Sequence, residues 1–261
     1  MQPITKLRNL TLGEGMPKIC VSVTGRTGEE IISSAKKIMP YHPDMIEWRM
    51  DFWNGAEHAV EAPAEKKLFL QLLSELRQIL GETPLLSTFR TKAEGGEREL
   101  KPQCYMALNE LAIFSGETDA VDVELFQGDT VVKQLIASAH QMGVKVIGSN
   151  HDFQKTPPRK EIIRRLCCMQ ELGVDVAKMA VMPENKKDIL TLLEATEEMH
   201  REYAKIPIVT MSMGGEGMIT RLSGEVFGSA LTFGMVGTAS APGQVPIGEL
   251  RRTLELFHGR K

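Results

Sequence analysis

Lys178 sits inside VDVAKMAVM (174–182), a run otherwise made almost wholly of apolar residues. Burying an unpaired ammonium costs several kcal/mol or more, so a lysine in such a run is either paired or holds its amine uncharged. An uncharged amine is a nucleophile toward carbonyl carbon. Other polar residues fall at comparable places. Glu47 and Arg49 are two apart in IEWRM, so on an extended strand they leave one face. Arg90 lies near the end of PLLSTFRT, and Glu94 follows in RTKAEGGE. Asp122 and Glu124 share a face in VDVELF, His151 stands near the end of VKVIGSNHD, and Arg221 lies in GGEGMITRLSGE. Taken singly, a charge at a strand end is commonly solvated and a histidine is commonly structural. Lys178 differs because apolar residues flank it on both sides.

Competing chemistries lack their residues. There is no GxGxxG after the first strand and no GxxxxGK[ST], so the backbone cradles of dinucleotide and P-loop sites are missing. MGGEG after the seventh strand offers a phosphate-binding turn, although such a turn is more often a tight connection. The six histidines form no HExxH or other close pair suited to zinc, so neither a metal nor another cofactor is expected.

Positioning these residues requires a regular frame. Short apolar runs bounded by turn residues recur as KICVSV from 18, MIEWRMD from 45, PLLSTFRT from 84, VDVELF from 121, VKVIGSNHD from 144, VDVAKMAVM from 174, IPIVTMSMG from 206 and a weaker LTFGMVG from 231. Helical spacing fills the gaps, as in TGEEIISSAKKIM, AEKKLFLQLLSELRQIL, DTVVKQLIASAHQMG, PPRKEIIRRLCCMQELG and NKKDILTLLEATEEMHREYA. Such alternation indicates a parallel sheet, and eight units in a chain of this length fit an α/β fold of the (β/α)8 TIM-barrel type, with a doubly wound sheet as the alternative. The polar outliers then fall toward the C-terminal ends of strands, where barrels of this kind keep their working groups. ITKLRNLTLGEGM ahead of the first strand suits a short hairpin over the barrel floor, and the 261 residues contain no linker, so one domain, 1–261, is expected.

Composition agrees with small-molecule chemistry. With 31 basic and 34 acidic residues the net charge is −3, which gives no broad positive field for nucleic acid or an anionic membrane. The absence of a long apolar run and of a secretory leader predicts a cytoplasmic protein. Cys20, Cys104, Cys167 and Cys168 show no CxxC spacing and are expected to be reduced, buried thiols.

The segments IEWRMDFW, STFRTKAEGGE, GSNHDF, DVAKMAVMP, TMSMGGEGMITRLSGEVFGSALTFG and ASAPGQ together resemble type I 3-dehydroquinate dehydratase, the Schiff-base enzyme family of the shikimate pathway. They keep their order from the second strand to the eighth, with no departure at the positions that carry the chemistry. The resemblance implies dehydration of 3-dehydroquinate to 3-dehydroshikimate through an iminium on Lys178. His151 is implied as the acid–base, and Glu94 as the carboxylate that orients it. Arg221 and Gln244 are implied on the substrate carboxylate, and Glu47, Arg49 and Arg90 on its hydroxyls. Ser22, Ser240, Met211, Met213 and Phe233 would complete the pocket, although methionines at strand spacing are often plain core. The residue chemistry is compatible: a free lysine titrates at about 10.4, and burial beside cations such as Arg49, Arg90 or a protonated His151 is expected to lower that value. GTASAPGQVP (237–246) is read as a lid. A homodimer is implied as well. Another Schiff-base barrel, such as a class I aldolase, and a non-catalytic binding barrel are the alternatives.

Overall fold

The structure, a computed structural model, describes residues 3–259. Strands β1 (Thr5–Leu7) and β2 (Leu10–Leu12) come first, then β3 (Lys18–Val23), β4 (Met45–Arg49), β5 (Leu85–Thr88), β6 (Ala120–Glu124), β7 (Lys145–Asp152), β8 (Val176–Val181), β9 (Ile208–Ser212), β10 (Leu231–Met235) and β11 (Val245–Pro246). The helices are α1 (Gly28–Ile38), α2 (Pro63–Leu80), α3 (Pro102–Ile113), α4 (Asp129–Gln141), α5 (Arg159–Leu172), α6 (Lys186–Glu198), α7 (Gly214–Leu222), α8 (Gly224–Phe227) and α9 (Ile247–His258). All eight strands expected from the sequence are present as β3–β10, each followed by helix before the next. The fold class is α/β with (β/α)8 alternation, as expected.

Contacts gather these elements into two compact units. Of the described residues, the first takes 3–6, Thr11–Val21 and 148–259; the second takes Leu7–Leu10 and Ser22–Ile147. In the first, β8 and β9 pair in parallel with Lys178 opposite Val209, and β10 pairs with both β3 and β11. The Ala230 amide donates to Ile208 at 2.8 Å, linking the start of β10 to β9. In the second, β4, β5 and β6 pair in parallel, and the register sets Arg49 beside Thr88 and Thr88 beside Asp122. Every residue of β4, β5, β6, β8 and β9 is buried, the signature of parallel strands covered on both faces.

The helices that cover them start and stop on local signals. Thr27 caps α1 in a reciprocal capping box with Glu30. Helix α5 turns Ile162, Ile163, Leu166 and Met169 inward and ends at Gly173 in the left-handed region. Strands β1 and β2 pair as the expected hairpin. Thr5 donates to the Asp175 carbonyl at 2.8 Å just ahead of β8, and Arg8 Nε donates to Asp119 at 2.6 Å just ahead of β6. These contacts lie at strand beginnings, away from the ends that carry His151 and Arg49.

Two readings change. The MGGEG segment is not a free turn: Gly214 opens α7. A Cβ on Gly217 would fall 2.5 Å from the Ser212 carbonyl oxygen, so close seating of α7 on β9 accounts for that glycine. Of the four free cysteines only Cys20 is buried; the other three are half-exposed.

Candidate active site

The first unit carries the lysine. Lys178 is 3% exposed in the middle of β8, and its Nζ stands 4.6 Å from the centroid of the Phe233 ring on β10. The aromatic face therefore walls one side of the amine. β7 neighbours β8 in the sheet, and His151, half-buried, lies near its C-terminal end. On β9 and just past it, Met211 and Met213 are both buried.

Arg221 projects from the last turn of α7 and is 1% exposed. Its guanidinium donates to the Met211 sulfur at 3.3 Å and to the Pro242 carbonyl at 3.1 Å, while Nε finds no partner among the described residues. Among the described residues no carboxylate pairs with it. Burial alone lowers its pKa to about 10. A desolvated cation without a counter-anion is half of an ion pair, and a planar carboxylate fits the missing half. The segment that supplies Pro242 also holds Gln244, which accepts from the Ser240 amide at 2.8 Å and donates to the Ser240 hydroxyl at 3.0 Å. Arg221 thus ties the 237–246 segment to α7.

The second unit carries a buried ionic network. Ser22 donates to one oxygen of Glu47 at 2.5 Å and Thr88 to the other at 3.0 Å, which fixes the carboxylate from two neighbouring strands. Arg49 binds Asp51 through two parallel bonds of 2.8 Å and stacks 5.0 Å from the Phe52 ring centroid. Arg90 lies 2.7 Å from Asp122, donates to Glu124 at 2.8 Å and reaches Glu94 at 3.4 Å. Burial works against the charge of both arginines, but the carboxylates outweigh it and their pKa values rise, most strongly for Arg90 beside Asp122 and Glu124. Two cations here face Glu47, Asp51, Glu94, Asp122 and Glu124. The arginines are therefore neutralised locally, and they deliver less positive potential outward than their bare charges suggest.

Glu94 is buried at the end of a short 3-10 turn, in a loop that doubles back so tightly that a Cβ on Gly96 would meet the Arg90 carbonyl oxygen at 1.9 Å. Asp51 clamps the same region, accepting from the Arg90 and Glu97 amides at 3.3 and 3.1 Å. Asp51 escaped sequence reasoning because an aspartate just past a strand looks solvated. Its one signal is adjacency to Arg49. Glu124 was noted for its face but not its role: it accepts from Arg90, from both Thr91 donors and from Gln127.

The family model described as type I 3-dehydroquinase matches residues 19–261. The 3-dehydroquinate dehydratase of Clostridioides difficile is 49% identical over 258 residues, 99% of this chain and 98% of that protein. A crystal structure of the type I enzyme from Clostridium difficile with covalent modified comenic acid superposes with a TM-score of 0.94 at 49% identity, covering all of both chains. The 3-dehydroquinate dehydratase structure from Geobacillus kaustophilus gives 0.93 at 36% identity, covering 99% of each.

Proposed function

The chain belongs to the type I 3-dehydroquinase family, hydro-lyases of the shikimate pathway that turn 3-dehydroquinate into 3-dehydroshikimate and water through a lysine Schiff base, and on that premise we propose that Lys178 is the nucleophile. The observation that carries this is a lysine, 3% exposed in a wholly buried strand, with its amine against an aromatic face. The uncharged amine adds to the substrate ketone and the carbinolamine loses water, leaving a protonated imine. That group withdraws electrons from the adjacent carbon, so a base of modest strength suffices to remove its proton. The electron pair forms the new double bond as the β-hydroxyl departs, and hydrolysis of the imine returns the amine.

His151 is assigned both proton transfers, because an imidazole with an ordinary pKa near 6.5 exchanges protons readily at neutral pH. Glu94 is assigned to orient it. Arg221 and Gln244 take the substrate carboxylate, where the free Nε of Arg221 gives the assignment its physical support. Glu47, Arg49 and Arg90 are assigned to the hydroxyls, and Ser22, which donates to Glu47, to the pocket beside them. Met211, Met213, Phe233 and Ser240 are assigned to line the pocket, and 237–246 to close over the bound substrate.

The test is to incubate the protein with 3-dehydroquinate and borohydride and map the mass adduct. The expected result is a reduced adduct on Lys178 that Lys178→Ala abolishes together with turnover. His151→Ala is expected to form the adduct while kcat falls by about 10²–10⁴-fold. An adduct elsewhere removes the nucleophile assignment, and normal turnover in His151→Ala removes the base assignment.

The family resemblance also supports a cytoplasmic homodimer. No described helix is long and apolar enough to cross a membrane. Exposed Met218 and Ile219 on α7, Val226 on α8, and Leu256 and Phe257 on α9 offer apolar surface for a second copy. Sedimentation velocity tests the dimer.

A further inference from the structure

We propose that Arg165 on α5 is a positioning residue that sets the His151 imidazole relative to Lys178. The proposal rests on the assignment of His151 as the acid–base. Successive strand side chains alternate, so Asn150 and Asp152 leave the face of β7 opposite His151. Arg165 engages both: Nη1 donates to Asn150 Oδ1 at 2.9 Å and lies 3.8 Å from Asp152 Oδ2. Its Nε donates to Glu161 at 2.7 Å, one helical turn back, which holds the guanidinium plane. Arg164 and Arg165 together keep the Glu161 pKa at about 2, so the anchor stays charged at neutral pH.

The clamp extends to the lysine strand. Asp152 Oδ1 accepts from the Gln154 and Lys155 amides at 3.1 and 3.0 Å, which fixes the turn after the histidine. From that turn the Lys155 carbonyl accepts from the Met182 amide at 3.4 Å, and the Thr156 hydroxyl donates to the Met182 carbonyl at 3.0 Å. Met182 directly follows β8, four residues beyond Lys178. One guanidinium thereby holds both neighbours of the histidine and, through Asp152, a turn tied to the end of the lysine strand. Proton transfer depends steeply on where the base stands, and a misplacement of about 1 Å costs about 100-fold. The nucleophile keeps its own strand, so losing the clamp leaves imine formation intact.

The experiment is a double-mutant cycle of Arg165→Leu and His151→Ala on the full chain, reading kcat, KM, the borohydride adduct and the melting temperature. Arg165→Leu alone is expected to lower kcat by about 10–100-fold, with KM within about twofold and the Lys178 adduct retained. In the His151→Ala background the same change is expected to cost almost nothing further, because Arg165 acts through the imidazole. Arg165→Lys is expected to recover part of kcat, and it stands in for the leucine variant in the cycle should the latter fail to fold. Equal losses in both backgrounds, or wild-type kcat in Arg165→Leu, overturn the positioning role. Normal turnover in His151→Ala overturns the base assignment instead, so the two failures are distinct.

Discussion

Arg221 is a cation that folding has desolvated without supplying an anion among the described residues. Its pKa, lowered by burial to about 10 from the ordinary, higher guanidinium value, means that the unfolded chain holds this proton more tightly than the folded one. The charged guanidinium therefore destabilises the fold throughout the range below about pH 10, and that cost fades only as the pH climbs from there toward the unfolded value. On the order of 3 kcal/mol is at stake at neutral pH. Arg221→Met is accordingly expected to raise the melting temperature of the ligand-free protein at pH 7, by about 2–4 °C for each kcal/mol recovered. The same variant is expected to raise KM by about 10- to 150-fold, since hydrogen bonds to charged groups contribute about 1.5–3 kcal/mol each. Calorimetry and steady-state kinetics on one preparation check both halves. A stable variant with unchanged KM would remove Arg221 from the substrate carboxylate. The ion pairs of the other unit behave oppositely: Arg49 is matched by Asp51 and Arg90 by Asp122 and Glu124, so truncating one partner there strands a buried charge and destabilises.

Helix α7 carries Arg221, and its seat on β9 decides where that guanidinium stands. Gly217 is the contact: it lies one turn ahead of Arg221, with the Ser212 carbonyl where a side chain would go. Gly217→Ala is expected to lift α7, costing about 1–3 kcal/mol from overpacking and raising KM more than it lowers kcat. Thermal melts and kinetics read this; a larger loss in kcat than in KM would mean that α7 bears on the chemistry rather than on binding. This helix also shows where sequence reading stops. β3–β10 were legible because buried parallel strands must be continuous apolar runs, and α1, α2, α4, α5 and α6 because one-sided burial imposes a helical period. In GGEGMITRL the glycines oppose helix formation, so its helicity leans on tertiary packing, the seat on β9 included. The strand-borne site groups Lys178, Glu47 and Arg49 were visible as charges in apolar runs. Asp51 and Arg165 were not, because each is an unremarkable charge until the fold brings its partner to it.

At the scale of the molecule, the chain passes between its two compact units inside strands rather than through linkers. β3 contributes Lys18–Val21 to one unit and goes on as Ser22–Val23 in the other, and β7 is divided in the same way between Ile147 and Gly148. A domain boundary ordinarily falls in an exposed flexible segment where the chain can yield. Here unfolding of one unit would have to stop in the middle of β3 and of β7. Half of each strand would keep its ladder while its covalent continuation lost its own. Leaving buried strand residues such as Cys20, Val21 and Val146 at such a frayed edge forfeits their burial. One cooperative transition is therefore expected: calorimetric and van't Hoff enthalpies should agree, and near-ultraviolet signals from Trp48 and Trp53 should track the backbone signal on melting. Both tryptophans belong to the second unit, so a backbone transition that runs ahead of or behind theirs would show the units unfolding apart.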